Sequence, residues 1–198
     1  QLEGDYSADN IDGPAMQAIF GGSTFQTDVT TDIKMPDSLV VGAKYQLNDK
    51  LDAEFDLGWT HWAEFDNLNF AFGTSNAVLA GSTPLNFNYR NTLSENIGLS
   101  YHFDPHWTLL GGYAYFERAA TENDFTTVIP DADRHTLSTG FLYENGGVSI
   151  GVSYAIQILA SEKIDNTVGL AGSGRQLADG TYDGIYHVVA VTLTYRFS

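Results

Sequence analysis

The chain has 198 residues, no cysteine, 9 Lys plus Arg against 25 Asp plus Glu, and a formal charge of −16. So acidic a balance argues against nucleic acid as a partner, because phosphates require a basic surface. No run approaches the roughly 18 apolar residues of a membrane helix, yet a membrane β-barrel passes that test unseen, since only alternate residues of its strands face lipid.

Residues 1–7 have the composition of the tail of a strand, and residues 8–24, with Gly, Pro, Asp and no period, predict a loop. A long strand is expected from about Thr24 to Leu47, broken at Pro36, which cannot donate to a ladder. Its second half alternates cleanly: Leu39, Val41, Ala43, Tyr45 and Leu47 face one way, and Val40, Gly42, Lys44 and Gln46 the other. A three-residue turn at Asn48 leads into Leu51, Ala53, Phe55, Leu57 and Trp59 on the apolar side, with Asp52, Glu54 and Asp56 opposite. Setting Leu47 against Leu51 matches the faces and places Lys44 opposite Glu54.

Further strands follow at about 93–103, 107–116, 135–143, 148–158 and 185–197. With the first two this makes seven complete strands and a stub. Tyr143 against Val148, across a four-residue turn from Glu144 to Gly147, would bring Gly140 opposite Gly151; Phe103 against Trp107 would bring Gly98 opposite Gly112. The terminal strand shows the pattern best. His187, Val189, Val191, Leu193, Tyr195 and Phe197 share one face, and Val188, Ala190, Thr192, Thr194 and Arg196 the other. At about 3.3 Å per residue and a tilt of about 40°, such a strand spans roughly 25 Å, the height of an outer-membrane apolar band.

Short and long connections alternate along the chain, the asymmetry of barrels with tight periplasmic turns and extended outer loops. Aromatics sort with it. Tyr45, Tyr101, Phe103, Trp107, Phe141, Tyr143, Tyr195 and Phe197 lie beside the short turns, and Trp59, Tyr113, Tyr115 and Tyr154, with His61, His135 and His187, lie toward the loops. The expected fold is all-β, an antiparallel transmembrane barrel in a bacterial outer membrane, contacting its lipids and lipopolysaccharide.

The stretch PDSLVVGAKYQLNDKLDAEFDLGWTHWAEFDNL, residues 36–68, resembles the FadL/TodX family of outer-membrane long-chain fatty-acid and hydrocarbon transporters. The segment IPDADRHTLSTGFLY, residues 129–143, is similar to the same family, with Pro130, Asp131 and Arg134 in place. The resemblance implies a fourteen-stranded barrel plugged by an N-terminal hatch, of which residues 1–198 would be the C-terminal half. Hatch, lateral opening and early strands would belong to the missing N-terminal half. It also implies passive transport of hydrophobic small molecules, without catalysis or cofactor. A structural or adhesive barrel whose acidic outer loops bind a partner is the alternative.

Two groups of inward residues are candidates. Trp62, Phe116, Leu159, Tyr186 and Val188 lie toward the long loops, where a buried apolar surface would take an acyl or aromatic molecule or pack against loops. Lys44, Asp52, Glu54, Asp56 and Arg196 lie toward the short turns and suit a lumen charge network better than a metal or acid–base site. His102 with His106 is a poor zinc pair because no helix aligns them. A lipase-like use of His135 with Ser138 fails because the two point to opposite faces. Inward glycines Gly42, Gly58, Gly98, Gly112, Gly140 and Gly151 either leave room in the lumen or relieve strain in the wall.

Overall fold

The computed structural model describes residues 1–65, 67–74, 76, 79, 85–125, 130–165 and 179–197. Strand β1 (Leu2–Asp9) is followed by helix α1 (Pro14–Phe20) and strand β2 (Thr24–Thr31). The helix corrects the expectation of a bare loop: Pro14 presets the first turn, and Gly21, at φ 78°, closes the last one in the left-handed region. The long strand expected from Thr24 is two strands, β2 and β3 (Ser38–Asn48), separated by the segment that carries Pro36.

Strands β4 (Leu51–Thr60), β8 (Thr92–His102), β9 (Trp107–Phe116), β10 (Arg134–Asn145), β11 (Val148–Ile164) and β12 (Gly180–Tyr195) join β3 in one antiparallel sheet. Its order is β12-β11-β10-β9-β8-β4-β3, a meander in sequence order. Between β4 and β8 the chain forms three short strands, β5 (Asn67–Leu68), β6 (Phe70–Phe72) and β7 (Leu85–Asn86). The stub, β1, pairs with β2, and β2 with β6, in a separate three-stranded sheet.

Register follows the side-chain pattern with two exceptions. Lys44 lies opposite Glu54 and Gly98 opposite Gly112, as the alternation requires. Leu47 does not face Leu51: the ladder shifts beyond Gln46, and Asn48 takes the place opposite Leu51. The reason is a tighter turn, in which the Asn48 side-chain oxygen accepts the Lys50 N–H at 3.0 Å. The second exception is the β10–β11 hairpin, whose turn is only Gly146–Gly147, both at positive φ (55° and 86°). Two such residues match the strand twist, so Asn145 pairs with Val148 and Gly140 meets Ser153 rather than Gly151. A shift of two keeps every side chain on its face. At the β8–β9 turn the Asp104 carboxylate accepts the His106 and Trp107 N–H groups at 2.8 and 3.0 Å.

The sheet does not bury a face of its own. Val189, Val191 and Leu193 on the outward side are 70–72% exposed, and Leu39, Phe55, Ile97, Phe141 and Val152 continue the apolar surface across the other strands. A continuous apolar face of this extent requires a non-aqueous neighbour. The buried hydrophobic residues, Phe87, Tyr89, Ala119, Ala120, Phe125, Ala132 and Ile164 among them, sit at the loop end. Aromatic pairs mark both margins of the outward face: Tyr101 with Phe103, Trp107 with Tyr143 and Tyr195 with Phe197 at the turn side, centroids 4.7–5.0 Å apart. At the loop side Trp59 stacks on His61, and the Tyr113 and Tyr154 hydroxyls meet Nδ1 of His135 and His187 at 2.8 and 2.7 Å. These are amphipathic groups where an interface would need them.

Candidate functional site at the loop end of the inner wall

Beyond β4 the chain makes one 3-10 turn, Trp62–Glu64, which swings Trp62 and Phe65 over the inner face. They pack on Phe87, Tyr89, Ala119 and Ala120. Trp62 meets Tyr89 edge-on at 6.1 Å and Phe65 is tilted against Phe87 at 4.9 Å, so that positive ring edges approach negative faces, while Phe65 stacks on Tyr89 at 5.8 Å. Beside this cluster lies a cavity of about 370 Å³. Met35, Trp62, Phe65, Tyr89, Ala119 and Pro130 give it an apolar lining, and Glu117, Asp131 and Arg134 supply charge.

The charged residues have different occupations. Asp131 accepts the N–H groups of Ala119 and Ala120 at 2.6 and 3.1 Å, and Asp133 accepts that of Arg118 at 2.7 Å. The two carboxylates clamp the outgoing chain after β9 onto the incoming chain before β10. Glu117 accepts the Leu93 N–H at 2.8 Å, and Arg118 donates to Glu162 at 2.7 Å. Burial, reinforced by the charge of Asp131, pushes the Tyr89 phenol up to about 12, so it stays neutral at physiological pH. Arg134 lays its guanidinium over the Phe116 ring, 5.6 Å from the centroid, and its Nε is buried without a hydrogen-bond partner.

Of the five loop-end candidates, Trp62 lines this cavity and Phe116 supports it through Arg134. Leu159, opposite Arg134 in the ladder, lies next along the same inner face, while Tyr186 and Val188 on β12 are exposed and stand apart from it. Sequence reasoning did not include Met35, Phe65, Tyr89 or Arg134 in the site. Phe65 and Tyr89 fall in loops, where alternation has no meaning; Arg134 could have been found from its inward parity beside Phe116.

The charged candidates separate. Lys44 Nζ reaches Asp52 at 3.3 Å rather than Glu54, its ladder partner, and Asp52 also meets His102 Nε2 at 3.3 Å. His102 Nδ1 in turn contacts the Thr108 hydroxyl at 3.0 Å. Lys44, Asp52 and Glu54 border a recess of about 360 Å³ floored by Gly98, Gly112 and Gly140. Asp56 lies beside it with Glu54. Arg196 is elsewhere, at the end of β12 near Glu144 and His106, its N–H bonded to Gly147.

Asp37, His61 and Glu64 bring ligand atoms within 4.8 Å of one another, the closest approach to a metal-binding group among the described residues. Lys34 already contacts Glu64 at 3.0 Å, so the group is satisfied as an ion-pair cluster. His135 and Ser138 bond to Tyr113 and to the Gly112 carbonyl on opposite faces, which leaves no nucleophile–base pair between them.

The family model for outer membrane protein transport proteins (OMPP1/FadL/TodX) matches residues 1–197. The chain belongs to this family. Members similar to it include outer membrane protein P1 of Haemophilus influenzae, 31% identical over 125 residues, covering 62% of this chain and 26% of that protein. The long-chain fatty acid transport protein of Escherichia coli is 26% identical over 161 residues, 77% of this chain and 35% of that one. Among solved structures, a Pseudomonas aeruginosa FadL homologue superimposes with a TM-score of 0.75 at 23% identity, over 86% of this chain and 38% of that one. The Pseudomonas putida toluene transporter TodX gives 0.64 at 20% identity, over 99% and 42%. This chain therefore spans less than half the length of these relatives, and its seven-stranded sheet is part of a FadL-type barrel wall.

Proposed function

We propose that this FadL-type chain is the C-terminal half of an outer-membrane barrel that passes hydrophobic molecules, long-chain fatty acids or hydrocarbons, by passive diffusion. The observation that carries the reading is the loop-end cavity: an apolar, aromatic-lined recess on the inner face of a sheet whose outer face is also apolar. An apolar outer face and an apolar inner recess have two uses, one against lipid and one for cargo. A molecule entering from the outer surface would gain about 0.8 kcal/mol per methylene buried against Trp62, Phe65 and Tyr89. The polar recess around Lys44, Asp52 and Glu54 lies toward the periplasmic turns, where cargo would be released rather than held. The chain needs no cofactor and performs no catalysis in this role. Lipopolysaccharide and outer-membrane lipids would cover the outward face, and the N-terminal half of the same protein would complete the wall.

Uptake of radiolabelled fatty acid and of toluene by cells with and without the gene tests this. Faster uptake of either in cells with the gene is expected. Equal uptake of both would remove transport.

A further inference from the structure

We propose that the outward Tyr–His pairs of β9–β10 and β11–β12 are a docking site for the phosphorylated head group of an outer-leaflet lipopolysaccharide, one sugar phosphate meeting the pair at His135 and the other the pair at His187. This rests on the outward face meeting outer-leaflet lipid and not on the cargo, so the uptake experiment above and the one below fail separately.

The height of the pairs follows from the strands that carry them. His61, His135 and His187 each stand ten residues from the turn side of their own strands, at Leu51, Asn145 and Phe197. Short turns mark one margin of the membrane, so equal counts mean equal heights. Ten residues at about 3.3 Å each and a tilt of about 40° rise roughly 25 Å, which sets all three at the outer edge of the apolar band, where head groups begin. Each pair has two hydrogens to give, the phenol O–H and one N–H of the neutral imidazole. One is spent between Tyr113 and His135 at 2.8 Å, and one between Tyr154 and His187 at 2.7 Å. Whichever tautomer holds, one donor per pair is left, and among the described residues no second partner takes it. On β11, between the pairs, Ile158 lies opposite His135 and Ile156 opposite His187. A donor held among such side chains, away from water, needs its acceptor from the lipid. Two strand widths and two ladder places separate His135 from His187, about 12 Å, close to the span of a disaccharide that carries a phosphate on each sugar. Charge selects the same side of the wall. Glu95, exposed and opposite Tyr115, keeps an anion off β8. Glu117 and Asp133 hold the Leu93 and Arg118 N–H groups, and Asp183, the next outward carboxylate on β12, stands four residues beyond His187.

The test uses the whole protein in detergent with two probes: lipid A, the acylated diglucosamine anchor of lipopolysaccharide, and the same lipid with both phosphates removed. Wild type is expected to bind the phosphorylated form about tenfold or more tightly. His135→Leu with His187→Leu should bring it to the level of the dephosphorylated form and leave the latter unchanged. The double Gln variant, which keeps an N–H donor at each place, should restore part of the preference. His135→Phe with His187→Phe serves should the Leu pair lose its heat-resistant gel migration. Equal binding of the two lipids by wild type overturns the proposal, as does a folded double variant that keeps the preference or weakens both lipids alike. Binding of neither lipid to wild type would strike the assignment of this face to the outer leaflet and the proposal with it.

Discussion

Gly140 and Gly98 look alike in the sequence, both inward and both on a strand, yet the wall treats them differently. A Cβ on Gly140 would stand 3.0 Å from the Val152 carbonyl oxygen and 3.1 Å from Ser153 Cβ, neither of which can move without the neighbouring strand. A Cβ on Gly98 would find only Glu54 Cβ, at an ordinary 3.8 Å. Gly140→Ala should therefore cost about 1–3 kcal/mol in urea unfolding, and Gly98→Ala close to nothing. Equal costs would show that wall curvature, not close approach, selects both. At the loop end, replacing Trp62 and Phe116 with Ser should weaken hydrophobic-ligand binding while heat-resistant migration persists; unchanged affinity in the folded double variant would place the site in the rest of the protein. Tyr89 offers a spectroscopic check. Its neutral form is favoured by burial in the native state, so its contribution to stability is complete below pH 10 and is lost as pH rises toward 12. Tyr89→Phe should remove absorbance change near pH 12 and none near pH 10. Parity assigned Phe116 and the glycines to the inward face, because a period of two fixes a face; Trp62 lies beyond β4 in a 3-10 turn, where parity no longer applies. Parity could not find Tyr89 or Phe65, whose positions depend on how two loops fold over the sheet.

At the level of elements, turn chemistry decided what periodicity could not. The seven strands of the main sheet were legible from their alternation, to within a few residues except at the loop ends of β11 and β12, which end and begin beyond the expected 158 and 185; the short strands β5, β6 and β7 carry too few residues to show a period. The main sheet's registers near its turns were not legible, because a shift of two preserves every face and an irregularity such as the one beyond Gln46 absorbs a shift of one. Asn48 closes one turn with its side chain, and Gly146–Gly147 closes another with two left-handed residues. Gly147 is at φ 86° and a Cβ there would also meet the Arg196 carbonyl at 3.2 Å. Gly147→Ala should lower the unfolding midpoint by an amount corresponding to about 1 kcal/mol or more, while Gly146→Asn, a residue that tolerates this region, should leave it within error. Helix α1 was missed because its seven residues are too few to display a 3.6-residue period; only Pro14 and Gly21 bracket it.

The whole molecule turns on which face meets lipid. Outward and inward residues alternate along β12, so Ala190 and Val191 are adjacent in sequence and on opposite sides of the wall. Ala190 lies opposite Ser153, on the face that carries the glycines and the charged recess; Val191 lies opposite Val152, on the apolar face. Both are near the middle of the spanning stretch, where bilayer cost is greatest. An arginine at position 191 would have to sit in hydrocarbon at a cost of about 2–4 kcal/mol, whereas at position 190 it would project into the lumen. Val191→Arg should accordingly reduce the heat-resistant, membrane-inserted fraction, and Ala190→Arg should assemble as wild type. The seven-stranded sheet is open, with β3 and β12 at its edges, and unpaired backbone cannot remain in a bilayer. The experiment must therefore be made in the whole protein, where those edges are paired. If Ala190→Arg blocks assembly and Val191→Arg does not, the wall is reversed: the glycine-lined face would lie against lipid, and the cavity at Trp62 would open outward, where it could serve no cargo.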